Sequence, residues 1–152
     1  MKQSAGILLY RLTGNELTVL LVHPGGPFFA KKDNGAWTIP KGELAEEEEP
    51  LLTAKREFEE ETGKPVTGVF IKLTSIKQKG GKLVHAWAVE GDFDTSQLKS
   101  NMFEMSWPPR SGLIKRFPEI DKAQWFTPEE ALDKLLPAQR AFITELQTVL
   151  QE

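Results

Sequence analysis

Apolar residues along the chain fall into short runs separated by turn-forming residues, the layout of a mixed α/β protein. Residues 4–10 and 17–23 read as two strands, with Thr13-Gly14-Asn15 as the turn of a hairpin between them. Pro24-Gly25-Gly26-Pro27 opens a loop that runs through Gly35 and carries Phe28, Phe29, Lys31 and Lys32, and a short strand at 36–39 follows it. Pro50 suits the first turn of a helix and Gly63 its end, so residues 50–63 read as a helix entered from a Glu-rich loop. Strand patterns recur at 66–75 and 82–90 around Lys79-Gly80-Gly81, and a long irregular segment, 91–119, contains Trp107-Pro108-Pro109-Arg110-Ser111-Gly112. A last strand at 123–126 leads into Thr127-Pro128-Glu129-Glu130, which supplies an N-cap, a Pro at the first helical position and a capping-box Glu. Pro137 interrupts that helix, and 138–150 forms another amphipathic stretch with Phe142, Leu146 and Val149 on one side. No repeat or linker divides the chain, so residues 1–152 read as a single α/β domain.

The helix at 50–63 carries the chemistry. At about 100° per residue, Glu57, Glu60 and Glu61 fall within an arc of roughly 100°, flanked by Leu51, Ala54 and Phe58. Like charges this close raise one another's pKa unless a cation sits between them. With no Cys and only His23 and His85 available, an oxygen-only ligand set favours Mg²⁺ or Mn²⁺ over zinc. A Glu run is more commonly a solvated face, and that ordinary reading suits residues 46–49 as well as any functional one.

Charge sharpens this picture more than bulk composition does. The net charge of −3 conceals an acidic segment, 43–61, with nine Glu against Lys55 and Arg56, which leaves +4 for the rest of the chain. That excess is too small for the dense basic face of nonspecific nucleic-acid binding. No apolar run approaches the ~20 residues of a membrane span, and the N-terminal stretch lacks the apolar region and cleavage site of a signal peptide, so no membrane partner and a cytoplasmic location are expected. The absence of Cys removes disulfides and thiolate chemistry.

Gly42, then Glu48, then Arg56-Glu57-Phe58-Glu59-Glu60-Glu61-Thr62-Gly63 stand at the spacing of G, any five, E, any seven, R-E, an apolar residue, any one, E-E, any one, G and an apolar residue. Eight of nine specified positions match, and only Lys64 departs, at the position that sets how the helix end packs. From average residue usage such a match arises by chance in on the order of one window in a billion. The segment resembles the box of the Nudix hydrolases. That resemblance implies a mixed β-sheet sandwiched between α-helices, and hydrolysis of a nucleoside diphosphate linked to another group by attack of water at phosphorus, with Mg²⁺ or Mn²⁺ as cofactor. It implies Glu57, Glu60 and Glu61 as metal ligands together with the backbone carbonyl of Gly42, with Arg56 orienting the carboxylates and Glu48 in support. The general base in such enzymes is a box Glu, here Glu57, or a Glu from a later loop. Glu119, ahead of the strand containing Trp125, is the first candidate and Glu104 the second.

Lys41, beside the box, is a candidate phosphate contact, although a solvated Lys fits equally. Arg110 and Lys115 near Trp107 are candidates for binding phosphate and stacking a base. Phe28 is a further stacking candidate, with core burial its common alternative. His23 and His85 read as structural. The Tyr or Pro that marks some relatives beyond the box is missing, since residues 79–82 are Lys-Gly-Gly-Lys. The layout is nonetheless similar to the small hydrolases of dinucleoside polyphosphates and nucleoside triphosphates, acting as a monomer or homodimer. Diphosphoinositol phosphates or an RNA 5′ end are alternative substrates, and a noncatalytic nucleotide-binding module is the alternative from another class. Retention of Glu57, Glu60 and Glu61 favours an enzyme.

Overall fold

The computed structural model describes residues 2–151. The expected hairpin forms from β1 (Gln3–Thr13) and β2 (Glu16–Pro24), but its strands pair only near the turn, from Tyr10↔Val19 to Thr13↔Glu16. Further along they part, and the segment leading to the acidic helix fills the gap. Val22 and Thr38 exchange backbone hydrogen bonds of 2.9 and 3.0 Å, the Ile7 N–H donates to the Pro40 carbonyl (3.0 Å), and β3 (Lys41–Glu43) pairs antiparallel with Ser4–Gly6. The strand expected at 36–39 is thus reduced to isolated bridges, Val22↔Thr38 and Trp37↔Leu135, and the strand proper begins after Pro40. Proline has no N–H with which to continue a ladder.

On the other edge of β1 lies β6 (Leu83–Glu90), parallel over eight residue pairs, and β9 (Ile120–Phe126) closes the far side of β2. Two short strands, β4 (Ile71–Lys72) and β5 (Ile76–Lys77), pair with β6 in place of the long strand expected at 66–75. Gly68, at φ 137°, adopts a backbone foreign to an L-residue strand and turns the earlier residues away. The result is a mixed seven-stranded sheet whose main path runs β4-β6-β1-β2-β9.

Helices cover both faces, as the expected sandwich requires. Alternation along β1 shows why: Ala5, Ile7 and Leu9 pack with Phe58 and Ala54 of α1 (Pro50–Thr62), whereas Leu8 and Tyr10 join Leu135, Phe142, Ile143 and Leu146. The latter residues come from the turn after α2 (Pro128–Lys134) and from α3 (Arg140–Leu150), which flank a 3₁₀ turn at Pro137–Gln139. The capping box at Thr127 is present, with the Glu130 N–H donating to Thr127 Oγ1 and the Thr127 N–H to Glu130 Oε1. No helix among the described residues is long and apolar enough to cross a membrane.

The expectation of an irregular 91–119 is corrected. Within it β7 (Met102–Ser106) and β8 (Ile114–Pro118) form a separate antiparallel hairpin, paired from Met102↔Pro118 to Ser106↔Ile114. Most of its side chains are exposed or half-buried, so it lacks the in-out alternation by which a strand is recognised.

Close backbone approach at the β1/β3 junction makes Gly6 a test of this arrangement. A Cβ there would lie 2.6 Å from the Pro40 carbonyl oxygen and 2.7 Å from Lys41 Cβ. Gly6→Ala is expected to lower unfolding free energy by about 1–3 kcal/mol, the usual cost of overpacking. A denaturation midpoint equal to wild type would contradict the wedged packing of 36–43 between β1 and β2.

Candidate active site

The acidic helix is placed by both of its ends. Pro50 occupies its first turn, and Gly63, at φ 89°, closes it with an N–H bond to the Glu59 carbonyl (2.8 Å). Phe58 and Ala54 bury against the sheet, and Thr53, Glu61 and Thr62 are buried with them, so part of the carboxylate face turns inward toward β3. Gly42 lies against that face. A Cβ at Gly42 would overlap the Glu57 carboxyl group, which explains why this position carries no side chain.

Arg56 organises the cluster. Its Nε and Nη2 donate to the two carboxylate oxygens of Glu48 (3.0 and 2.9 Å), a bidentate pairing, while Nη1 donates to Glu60 (3.0 Å) and more weakly to Glu57 (3.4 Å). Glu48 in turn accepts from the Ala45 N–H (3.2 Å), which ties the loop before the helix to the helix itself. The Arg56 guanidinium holds the Glu48 carboxyl down at about 2.

Glu57 and Glu61 behave oppositely. Burial, then the charge of Glu60, pushes Glu57 from the ordinary 4.5 up to about 7. Burial pushes Glu61, only 9% exposed, up to about 8 against the opposing pull of Lys41, and Glu57 and Glu119 add to the rise. The Lys41 N–H donates to Glu61 Oε1 (3.3 Å), and the Lys41 ammonium, lowered by burial, feels Glu61, Glu57 and Glu43. Lys41 is therefore half-buried beside the acidic group, and the solvated reading of this residue is corrected.

Glu119 joins the cluster from the end of β8. Its N–H donates to the Asn101 carbonyl (2.8 Å), its own carbonyl accepts from Gly25 (2.8 Å), and the Asn101 N–H donates to the Glu60 carbonyl (2.9 Å). Burial and Glu60 raise its carboxyl pKa. Glu104 lies elsewhere, exposed on β7 opposite Arg116. The structure thus brings Lys41, Gly42, Arg56, Glu57, Glu60, Glu61 and Glu119 together. Phe28, Trp107 and Arg110 sit apart from them, on the neighbouring loop and hairpin. Core burial is excluded for Phe28, which is 58% exposed and meets Trp107 edge to face at 5.5 Å.

Sequence reasoning undervalued His23. It is buried at the end of β2, its ring nitrogens 2.7 Å from Asp121 Oδ1 and from the Lys32 carbonyl oxygen, and it packs edge-on against Trp37. It fastens the loop bearing Phe28 to β9. Only its position at a strand end followed by Pro-Gly-Gly hinted at this.

The chemistry open to the cluster is that of oxygen donors around a hard cation. Among the described residues no three acidic side chains are already drawn together at ligand spacing, as expected where like charges face one another and Arg56 holds Glu60. The donor set nevertheless fits a divalent ion: carboxyl groups whose protons are retained near neutral pH by burial, and by the neighbouring carboxylates, are the groups a cation would ionise.

A family model of the NUDIX domain matches residues 2–146. No curated protein matches the chain. Among solved structures, the chain is similar to an Ap4A hydrolase of C. elegans in a binary complex (TM-score 0.68, 20% identity, covering 99% of this chain and 98% of that one). It is also similar to the NUDIX domain of Shewanella oneidensis NrtR complexed with ADP ribose (TM-score 0.66, 16% identity, 97% and 87% covered) and to a mutT/nudix family protein of Listeria innocua (TM-score 0.65, 16% identity, 99% and 94% covered). With the acidic helix, the wedged β3 and the two-faced sheet in place, the chain belongs to the Nudix family of hydrolases, acting on phosphorus-containing anhydrides.

Proposed function

We propose that this chain, as a single domain, is a Mg²⁺- or Mn²⁺-dependent pyrophosphohydrolase of a nucleoside diphosphate linked to a further group, with dinucleoside polyphosphates or nucleoside triphosphates as substrates. The observation that carries the reading is the convergence of Glu57, Glu60, Glu61 and Glu119 around the end of α1, with Glu61 buried. Glu57, Glu60, Glu61 and the Gly42 carbonyl would hold the ion, which when bound supplies Lewis acidity toward phosphoryl oxygens and lowers the pKa of water. Arg56 keeps Glu57 and Glu60 in place from one side while it is itself fixed by Glu48. Lys41 offers a positive charge to a phosphate oxygen next to these ligands.

Glu119 is the better placed of the two base candidates. Glu57 shares Arg56 with Glu48 and Glu60 and is packed on Gly42, whereas the backbone on both sides of Glu119 is pinned and burial beside Glu60 raises its carboxyl pKa, the direction that favours a general base. In the step proposed, Glu119 takes a proton as a water oxygen bonds to phosphorus, and the phosphoanhydride P–O bond breaks with its electron pair leaving on the departing phosphate. A phosphate-release screen over nucleoside di- and triphosphates, dinucleoside polyphosphates and nucleotide sugars with each metal tests the reading. Release from none of them would reject it.

Substitutions separate the helix's inward face from its solvated Glu residues. Glu60→Gln and Glu61→Gln should each lower kcat by about a hundredfold or more, on the order of 3 kcal/mol at 1.36 kcal/mol per tenfold. Exposed Glu46→Gln should leave kcat within about twofold. Comparable losses in all three variants would remove the ion from this helix face.

Stability supplies an independent readout. Because Glu57 and Glu61 titrate higher in the folded chain than the ordinary 4.5, the folded state binds more protons than the unfolded state between pH 4.5 and 8. Stability contributed by these groups is therefore lost as pH rises through that window. The metal-free protein should melt at a lower temperature at pH 8 than at pH 5.5. Saturating Mg²⁺ should recover the difference, and Glu61→Gln should raise the metal-free melting temperature at pH 8. A metal-free melting temperature that climbs from pH 5.5 to 8 would contradict the buried-acid account.

A further inference from the structure

The β7–β8 hairpin stands outside the main sheet, yet its base is joined to the acidic cluster. Asn101 just before β7 donates to the Glu60 carbonyl, Lys99 donates to the Thr62 carbonyl, and Glu119 follows directly after β8. The loop after β2 climbs the hairpin from this base. Gly25 lies against Pro118, Gly26 so close to the Phe103 ring that a Cβ would sit only 2.8 Å from its Cζ, and Phe28 against Trp107 at the far end. The loop's other end is fastened by the contact of His23 with the Lys32 carbonyl oxygen and by the bond from Trp37 Nε1 to Asp33 (2.8 Å). The aromatic pair is thus held at both sides, although its rings are open to solvent: Phe28 is 58% exposed and Trp107 half-buried.

Charge around the pair is complementary to a polyphosphate. The loop and hairpin that carry it hold Lys31, Lys32, Arg110, Lys115 and Arg116 against Asp33 and Glu104, and Asp33 is paired with Lys134. Among the described residues Lys31, Arg110, Lys115 and Arg116 take part in no ion pair. This basic end belongs to a chain whose net charge is −3.

Length selects the occupant. Five strand residues at ~3.4 Å each place the Trp107 end about 17 Å from Glu119. From the ribose C1′ of a mononucleotide to its β-phosphorus is about seven bonds, roughly 8 Å at the ~1.2 Å per bond of an extended chain. Its base falls well short of the pair. A chain of three phosphates ending in a second ribose adds about twelve bonds, roughly 14 Å, and the base beyond it reaches the rings.

We propose that Phe28 and Trp107 form a stacking subsite for the nucleobase of a second nucleoside, at the end of the substrate remote from the hydrolysed anhydride, with Arg110 and Lys115 meeting the intervening phosphates. The subsite rests on the hydrolase reading above and narrows it from nucleotides in general to dinucleoside polyphosphates. Steady-state kinetics on diadenosine tetraphosphate and ATP test it. Phe28→Ala and Trp107→Ala should each raise KM for the dinucleotide about tenfold or more, within the range measured for loss of a base stack, and by at least fivefold more than KM for ATP. Trp107→Phe, which keeps a ring, should recover most of the loss. Equal KM changes for the two substrates, or no change for either, would overturn the subsite while leaving the hydrolase reading intact. Equilibrium binding of diadenosine tetraphosphate to wild type and Trp107→Ala, followed by calorimetry, separates the two claims in the other direction. Binding that depends on Trp107 without turnover upholds the subsite and rejects the hydrolase. Equal binding by both proteins overturns the subsite.

Discussion

Carboxyl groups kept close together and partly out of water repel one another and resist ionisation, and the chain around the end of α1 is built to withstand that cost. Glu57 and Glu61 are raised to about 7 and about 8 while Glu48, gripped by Arg56, stays fully ionised. One arginine therefore divides the acidic residues of the helix and its loop into two populations. Glu48 and Glu60 take its short hydrogen bonds, whereas Glu57, reached only at 3.4 Å, and Glu61, turned toward β3, are raised by burial. Partly buried carboxyls that resist ionisation are prepared for a cation, and the remaining architecture keeps them in that condition.

That architecture begins with a hairpin that opens. Because β1 and β2 pair only near their turn, residues 36–43 can enter the sheet between them and deliver Gly42 to the Glu57 carboxyl and Lys41 to Glu61. On the far side of the cluster, hydrogen bonds from the N–H groups of Lys99 and Asn101 to the end of α1, and from Glu119 to the Asn101 carbonyl, bring in a fourth carboxylate from a segment distant in sequence. The sheet's two apolar faces hold this in place. Phe58 anchors the helix on one side, and Phe142 and Leu146 cover the other.

The helix, its caps and its acidic face were legible in the sequence because they depend on local spacing: Pro50 at the start, Gly63 at the end, and Glu57, Glu60 and Glu61 within one arc. The long strands β1, β2 and β6 were legible from their apolar runs, and α2 from its capping box. Three features were not. The strand at 41–43 is polar and exists only because β1 and β2 separate, a tertiary event without a local signal. The β7–β8 hairpin buries too little to leave an alternating pattern. His23 bonds to Asp121, ninety-eight residues away, and to a backbone carbonyl, neither of which its neighbours announce. For the site, the box residues could be placed by spacing, but the inward turn of Lys41 and the edge-on meeting of Phe28 with Trp107 depend on which loops the fold brings together.

The central claim is that the inward carboxylates of α1 hold a divalent ion. Electron paramagnetic resonance of free Mn²⁺ during titration of the protein measures this directly, without substrate or turnover. Wild type should deplete the free-ion signal until its site is filled, and the Glu57→Gln/Glu61→Gln double variant should leave that signal close to the protein-free value. Equal depletion by the two proteins would contradict the account, since it would place the ion away from the carboxylates that the structure buries.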